Sequence, residues 1–519
     1  MMEGVMGTIT LEVYGQSVKI ITDDPYFMRC THEFCRSMIK YKMERVVDPN
    51  SNGYHAKMMR VPDCTFAASP LNRSFYCIHR GQKDEFLHYL TRCGVKPEEI
   101  KVIDVPFYDA TAANLVMQDG WKPREDQEPV VEYIVDDGRL KILPLRTGFG
   151  KTFLALYSAS LMGVRWMLVT RGGYVDKWIE DVTKTYKIDR DRIIVIKGEK
   201  ALLKAIDKAK QGEFDFDVIL MSTGGYSDYI KHYEQYLGTE LGDMYMDPRA
   251  LGMLFGVGLR VVDEAHQMLH AYYRIDLYSH YPKVLFLSAT ILGNDALEKR
   301  VHEIIYPANK RYNGAEWKCY IHATGLKYNL AEPSKARFTD HRKNYSHVIF
   351  EQYLMRNKEK LKHYLNMIAN LTSDFLKKRK PGQKYLIFAS TVDMCDLIVK
   401  DLKSRKYSGV IVGRYVAEDN LEDIYGYDII VTTPGSGGTG IDIPDLATAL
   451  STSAISSGKL NIQMLGRLRE LKNYPGEEPE YQYLICADIP KQLDYHRQKL
   501  ELFQGKVKSH KVQHTGALI

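Results

Sequence analysis

The sequence lacks the features that would place it among metal-stapled, secreted or membrane proteins. Its eight cysteines are scattered at 30, 35, 64, 77, 93, 319, 395 and 486. No C-x-x-C pair occurs, so the spacing of a zinc ribbon or a disulfide framework is missing. Cys30 and Cys35 flank His32, but no second ligand pair follows at finger spacing. Scattered free thiols suit a reducing compartment, and a cytoplasmic location is expected. No segment reaches the 18 consecutive apolar residues of a membrane span. The opening residues MMEGVMGTITLEVYG lack a basic stretch followed by an apolar core, so no secretory signal is expected. Neither low-complexity tracts nor a fixed-period repeat is present. Charge of neither sign dominates. The 71 Lys and Arg against 65 Asp and Glu leave a net +6, which permits a nucleic-acid partner without requiring one.

What is present is an ordinary globular composition, 45% hydrophobic and 26% charged, in a chain of 519 residues, too long for one typical domain. Residues 1–112 mix alternating runs (TITLEVYG, SVKIITD, YHAKMMRV, SFYCIHRG) with helix-like stretches (HEFCRSMIKYKM, KDEFLHYLTRCGV), which predicts a small α+β domain. Its basic residues Lys40, Lys42, Arg45, Lys57 and Arg60 form either a solvated face or a nucleic-acid surface. Over 113–315 the rhythm changes. Short apolar runs (WMLVT, RIIVIKG, FDVILMST, LRVVDE, KVLFLSAT) alternate with helical stretches, as in a parallel sheet with crossover helices. Residues 316–380 read as a linker and a helical segment. The strand rhythm resumes over 381–490 (KYLIFAS, GVIVGRY, YDIIVTT, TALSTS, YQYLICA), and 491–519 read as a helix and a mobile basic tail.

RTGFGKT, residues 146–152, raises the question of chemistry. The P-loop pattern G-x-x-x-x-G-K-[ST] would put its first Gly at 145, where this chain has Leu145. The surroundings still fit. An apolar run precedes the loop and an Ala/Leu-rich helical stretch follows it, so free backbone N–H groups gather in a concave nest. Gly148 and Gly150 let a triphosphate approach the backbone, Lys151 reaches its β/γ-phosphates, and the Thr152 hydroxyl ligates Mg²⁺. Downstream, RVVDEAHQM ends a strand in two acids. Asp263 can hold Mg²⁺ and Glu264 can orient or deprotonate the attacking water. In VLFLSAT, Ser288 and Thr290 stand at a strand end, where they could couple the acidic site to movement.

These elements, in this order, resemble those of superfamily 2 helicases and translocases. The resemblance spans about 120–470 and implies two RecA-like parallel-sheet α/β domains preceded by a small α+β domain, with ATP and Mg²⁺ as cofactors. It also implies further roles. Arg124 and Gln127 fit the adenine-reading R-x-x-Q element, and Thr147 lies in the phosphate loop. Thr170 and Arg171 (motif Ia) and Ser222 and Thr223 (motif Ib) would contact a tracked strand, as would Ser390 and Thr391 (motif IV) and Thr433. TGIDIP, with Gly440 and Asp442, matches motif V, and both would meet the nucleotide. IQMLGRLRE resembles motif VI, with Gln463 and Arg467 in place, but Glu470 stands where a second arginine is expected and Arg469 is one residue early. The arginine finger is therefore Arg467 or Arg469. His266 joins Ser288 and Thr290 in a coupling role. DEAD-box proteins are excluded by His266. The layout resembles phage recombination helicases of the UvsW type, which implies a DNA partner that is branched, forked or single-stranded. Two alternatives stand beside this: an RNA helicase or annealing enzyme on the same core, and a nucleic-acid-binding protein whose motor is degenerate.

Overall fold

A computed structural model describes residues 7–519, except 48–55, 65, 69–74, 147, 266, 289–295, 315–318, 342, 417–418 and 438–442. It divides into two compact units. One comprises Met1–Leu145 with Gly150–Ala315, and the other Glu316–Ile519 with the short segment Arg146–Phe149.

The first unit holds a six-stranded sheet in the spatial order Ile193–Ile196, Val218–Ser222, Trp166–Thr170, Leu259–Val262, Lys283–Ser288, Leu140–Pro144. All its pairings are parallel. WMLVT, VILMS and LRVV are buried at every position, because helices cover both faces of a parallel sheet and no strand face meets water. A parallel arrangement also brings every strand's C-terminal end to one edge, where the loops that follow them collect.

The N-terminal block lies in the same unit. Its five-stranded mixed sheet runs Ala67–Ala68, Phe75–His79, Ser17–Ile21, Ile9–Val13, Ile100–Asp104, and the last pair is parallel. Helices Pro25–Arg36 and Lys83–Arg92 pack Phe27, Phe34, Phe86 and Leu90 against it. HEFCRSMIKYKM proves only half helical. The helix stops at Arg36, and Ile39–Val47 pairs antiparallel with Ala56–Cys64. The alternation I-K-Y-K-M-E-R is a period of two and outweighs the helical start. A buried network fastens this block to the parallel sheet. Asp276 bonds Arg260 and, at 3.3 Å, Nε2 of His79, and all three are at least 95% enclosed. Burial works against the charge of Asp276, yet Arg260 and His79 hold its carboxyl below the ordinary range.

The second unit holds seven parallel strands in the order Val412–Tyr415, Ile429–Thr432, Lys384–Phe388, Leu446–Ser451, Glu480–Cys486, His322–Asn329, Ser509–Leu518. Two of these strands depart from the sequence reading. His322–Asn329 was expected in a linker, and the basic tail forms an edge strand beside it rather than a mobile end. Its carbonyl and N–H groups find partners on a neighbouring strand, so a polar segment becomes ordered without an apolar face of its own. The fold class expected from sequence, α/β with two parallel-sheet domains and a small α+β domain ahead of them in the chain, is the one found.

Candidate functional site

Leu140–Pro144 carries the chain to the C-terminal edge of the first sheet, and helix Lys151–Met162 leaves it. The turn between them needs glycine. Gly148 (φ 82°) and Gly150 (φ 94°) are both left-handed, and Gly150 is the residue from which the helix starts. The departure at Leu145 has a structural account, since the Leu145 side chain is buried and its carbonyl accepts a hydrogen bond from Lys151 Nζ at 3.0 Å. The lysine thus lies across its own loop. Gln127 packs against the same turn: a Cβ placed on Gly150 would meet its amide nitrogen at 2.6 Å. The Gln127 carbonyl oxygen accepts the N–H of Arg124 at 3.0 Å, and Arg124 pairs with Asp126 at the surface.

The strand Leu259–Val262 delivers the two acids. Asp263 receives the indole N–H of Trp178 on one carboxylate oxygen at 2.9 Å and the backbone N–H of Glu264 on the other at 2.8 Å. Burial pushes the Asp263 carboxyl up, while Trp178 and then Lys151 pull it down, so the loop lysine and the strand-end acid lie within electrostatic reach. Glu264 has φ 47°, a left-handed backbone that a non-glycine residue adopts at a cost. Below it the Tyr272 hydroxyl donates to the Asp263 carbonyl at 3.1 Å. Ala265 N–H donates to Leu287 of the neighbouring strand, at whose end Ser288 is buried.

The other residues of the first unit are placed as follows. Arg171 is exposed and donates to Gln267 at 3.1 Å, joining the loop after Trp166–Thr170 to the acidic loop. Thr170 and Thr223 are fully enclosed, and Thr223 Oγ1 bonds the Tyr272 hydroxyl at 3.5 Å. Ser222 caps helix Thr223–Tyr236 by accepting the N–H of Gly225. In this conformation these three side chains serve the unit's interior. Thr152 is half-buried at the head of the phosphate-loop helix. Thr147, His266, Thr290, Gly440 and Asp442 lie outside the described residues.

In the second unit, Ser390 and Thr391 form the turn between strand Lys384–Phe388 and helix Val392–Ser404. Thr391 caps that helix, and Ser390 donates its hydroxyl to Ser453 at 2.7 Å. Thr433 bonds Ser436 across the turn after Ile429–Thr432. Gln463 is buried on helix Gly458–Leu465, and Arg467 just beyond it is also buried, whereas Arg469 is partly exposed.

The donor set fits a nucleoside triphosphate with a divalent cation. Left-handed Gly150 packs on Gln127 where a Cβ would clash, Lys151 reaches back to the Leu145 carbonyl, the Thr152 hydroxyl stands in the first turn of the helix, and Asp263, its carboxyl pushed up by burial, lies within electrostatic reach of Lys151. One contact and one residue escaped the sequence reading. The Trp178–Asp263 bond links residues 85 apart, so no local pattern announces it. Glu351, which accepts hydrogen bonds from both Ser390 and Thr391, had a weak signal: it is a charge on the apolar face formed by His347, Phe350 and Leu354.

No family model and no curated protein sequence matches the chain. Among solved structures, Saccharomyces cerevisiae Dbp5 bound to RNA and ADP BeF3 is similar at 14% identity over 76% of this chain and 90% of its own, with a TM-score of 0.49. The Pyrococcus furiosus Hef helicase domain is similar at 14% identity over 74% of this chain and 100% of its own, with a TM-score of 0.45.

Proposed function

We propose that this chain is an ATP-driven helicase or translocase that remodels branched or forked DNA, a motor of the UvsW-like type. The placement of Lys151 and Asp263 just past the C-terminal ends of two strands of one parallel sheet carries this reading, because residues 112 positions apart in sequence come within electrostatic reach there, as phosphate and cation chemistry requires. Lys151 and the loop N–H groups bind the triphosphate. Thr152 and Asp263 would hold Mg²⁺, which when bound neutralises charge on the phosphate oxygens. Trp178 fixes the Asp263 carboxylate in place. Glu264 takes a proton from the attacking water, whose oxygen joins the γ-phosphorus as the bond to the β-phosphate oxygen breaks, giving ADP and inorganic phosphate. Gln127 supplies an amide to the adenine edge. Trp121, 41% exposed and tilted on Phe153 at 5.7 Å, offers a ring face close in sequence to that element. The preference for DNA rests on the layout, a small α+β block ahead of two parallel-sheet units in the chain.

The test is the ATPase rate of wild type and Lys151→Ala at stated salt, with no nucleic acid, single-stranded DNA, duplex DNA, forked DNA and RNA in parallel. Strong stimulation by forked DNA, lost in the variant, is expected. Stimulation chiefly by RNA would move the chain to the RNA-helicase class, and no hydrolysis under any condition would sink the motor reading. Arg467→Ala and Arg469→Ala separate the two arginines. As Arg469 is the more accessible, its loss is expected to lower turnover with the fold intact, whereas loss of the buried Arg467 should lower the melting temperature as well.

A further inference from the structure

We propose that Glu351 is a positioning residue for the nucleic-acid-contacting turn Ser390–Thr391, a buried carboxylate that tethers this turn from beneath. This rests on the helicase reading above together with the resemblance of Ser390 and Thr391 to motif IV, whose turn would contact a nucleic-acid strand.

Glu351 is fully enclosed on the inner face of helix His347–Arg356. One carboxylate oxygen accepts the backbone N–H of Ser390 at 2.8 Å, and the other accepts the Thr391 hydroxyl at 2.7 Å. The same Thr391 oxygen accepts the N–H of Met394 at 3.2 Å and so starts the following helix. Ser390 in turn bonds Ser453, just past the neighbouring strand. One carboxylate therefore fastens a strand end, a helix start and, through Ser390, a second strand end. Hydrogen bonds to the ionised carboxylate are roughly twice as strong as neutral ones.

A stand-in for phosphate would have to be displaceable from solvent, and an enclosed carboxylate is not. The turn's donors point inward to it, which is the geometry of a tether.

The facing groups add no counter-charge. They are His347, whose Nε2 is 3.8 Å away, Tyr364 on helix Lys358–Lys378 and Cys395 on helix Val392–Ser404. Burial pushes His347 down to about 3, Cys395 up to about 12 and Tyr364 up, so all three are neutral near pH 7. Burial also pushes the Glu351 carboxyl up to about 7, against the pull of its hydrogen bonds. Protonation gives one oxygen a hydrogen and takes an acceptor from the turn.

The experiment compares the full chain with its Glu351→Gln variant. Amide exchange without nucleic acid should quicken at Ser390 and Thr391. The forked-DNA concentration for half-maximal ATPase should rise about tenfold, with the rate at saturation kept within about twofold. In wild type that concentration should rise as pH falls through about 7, and in the variant it should not. Unchanged exchange would overturn the tether. A tighter grip in the variant would overturn its positioning role, showing that the charge merely repels phosphate. If no nucleic acid stimulates the wild type, the functional reading fails, and the exchange arm still decides the tether. Should Glu351→Gln not fold, Glu351→Asp keeps the charge but shortens its reach to Ser390 and Thr391, and the same quickening of exchange there is expected, its absence overturning the tether.

Discussion

Glu264 combines a left-handed backbone with the position expected of a catalytic base. A non-glycine residue pays about 1–2 kcal/mol for that conformation. Glu264→Gln keeps the backbone and loses the carboxylate. It should bind ATP yet turn over ~10²–10⁴-fold more slowly, and single-turnover rates at wild-type level would remove Glu264 as the base. Glu264→Gly should be equally slow but melt no lower than the Gln variant, because relief of strain offsets glycine's greater chain entropy; a clearly lower melting temperature would mean the backbone is not strained there. Trp178→Phe leaves one Asp263 oxygen without its donor. That should cost on the order of 1–3 kcal/mol in a denaturant titration and lower ATP turnover, and an unaffected midpoint would mean that the indole bond contributes little. At this scale the sequence was informative wherever chemistry fixes the residue type. Gly148, Gly150, Lys151 and Asp263 stood out because a phosphate and cation site, the proposal made for them, would admit few substitutes. Trp178 and Glu351 did not, since what each one touches is set by the fold.

Among the elements, legibility followed burial. WMLVT, VILMS and LRVV announced themselves because strands covered on both faces are continuously apolar. HATGLKYN and SHKVQHTGAL did not. The second is exposed at most of its positions, and its order comes from ladder pairing, which leaves little trace in side-chain pattern. Its attachment has a pH dependence. The Tyr483 hydroxyl bonds Nδ1 of His496 at 2.7 Å and Nε2 of His510, on that strand, at 2.8 Å, while Lys499 lies over the same ring. Burial drives His496 down to about 4, lowers His510 and brings Lys499 down to about 7. Each base binds fewer protons folded than unfolded. Stability is therefore fully present at high pH, falls from the ordinary lysine range toward about 7 as Lys499 must charge, and falls again below the ordinary histidine range toward about 4. The protection of 509–518 against hydrogen exchange, taken relative to the intrinsic rate at each pH, should fall over those windows. Protection that is flat with pH would show that these groups do not hold the strand.

Within the first unit, the N-terminal sheet and the first parallel sheet share buried charge. Arg260 and Asp276 belong to the parallel-sheet part, and His79 belongs to the mixed sheet. Removing residues 1–112 would take His79 from the network and uncover the apolar residues that meet it. The expected outcome is loss of ATPase together with DNA binding, and solubility should fall. A truncated protein that hydrolyses ATP at the wild-type rate would show the block to be an appendage. His79→Ala asks the same question locally, and should lower the unfolding midpoint by on the order of 1–3 kcal/mol. The pairing of His322–Asn329 with Ser509–Leu518 bears on how the second unit is made. The side chains of His322 and Ser509 meet at 2.6 Å although 187 residues separate them. During synthesis the earlier strand must wait, with one row of N–H and C=O groups open, until its neighbour emerges. A transcript or reading frame that stops shortly before residue 509 would therefore yield a chain that keeps Lys151 and Asp263 but moves the open edge of the sheet from the exposed polar strand Ser509–Leu518 to His322–Asn329, otherwise mostly buried, the template on which unfinished copies pair with one another.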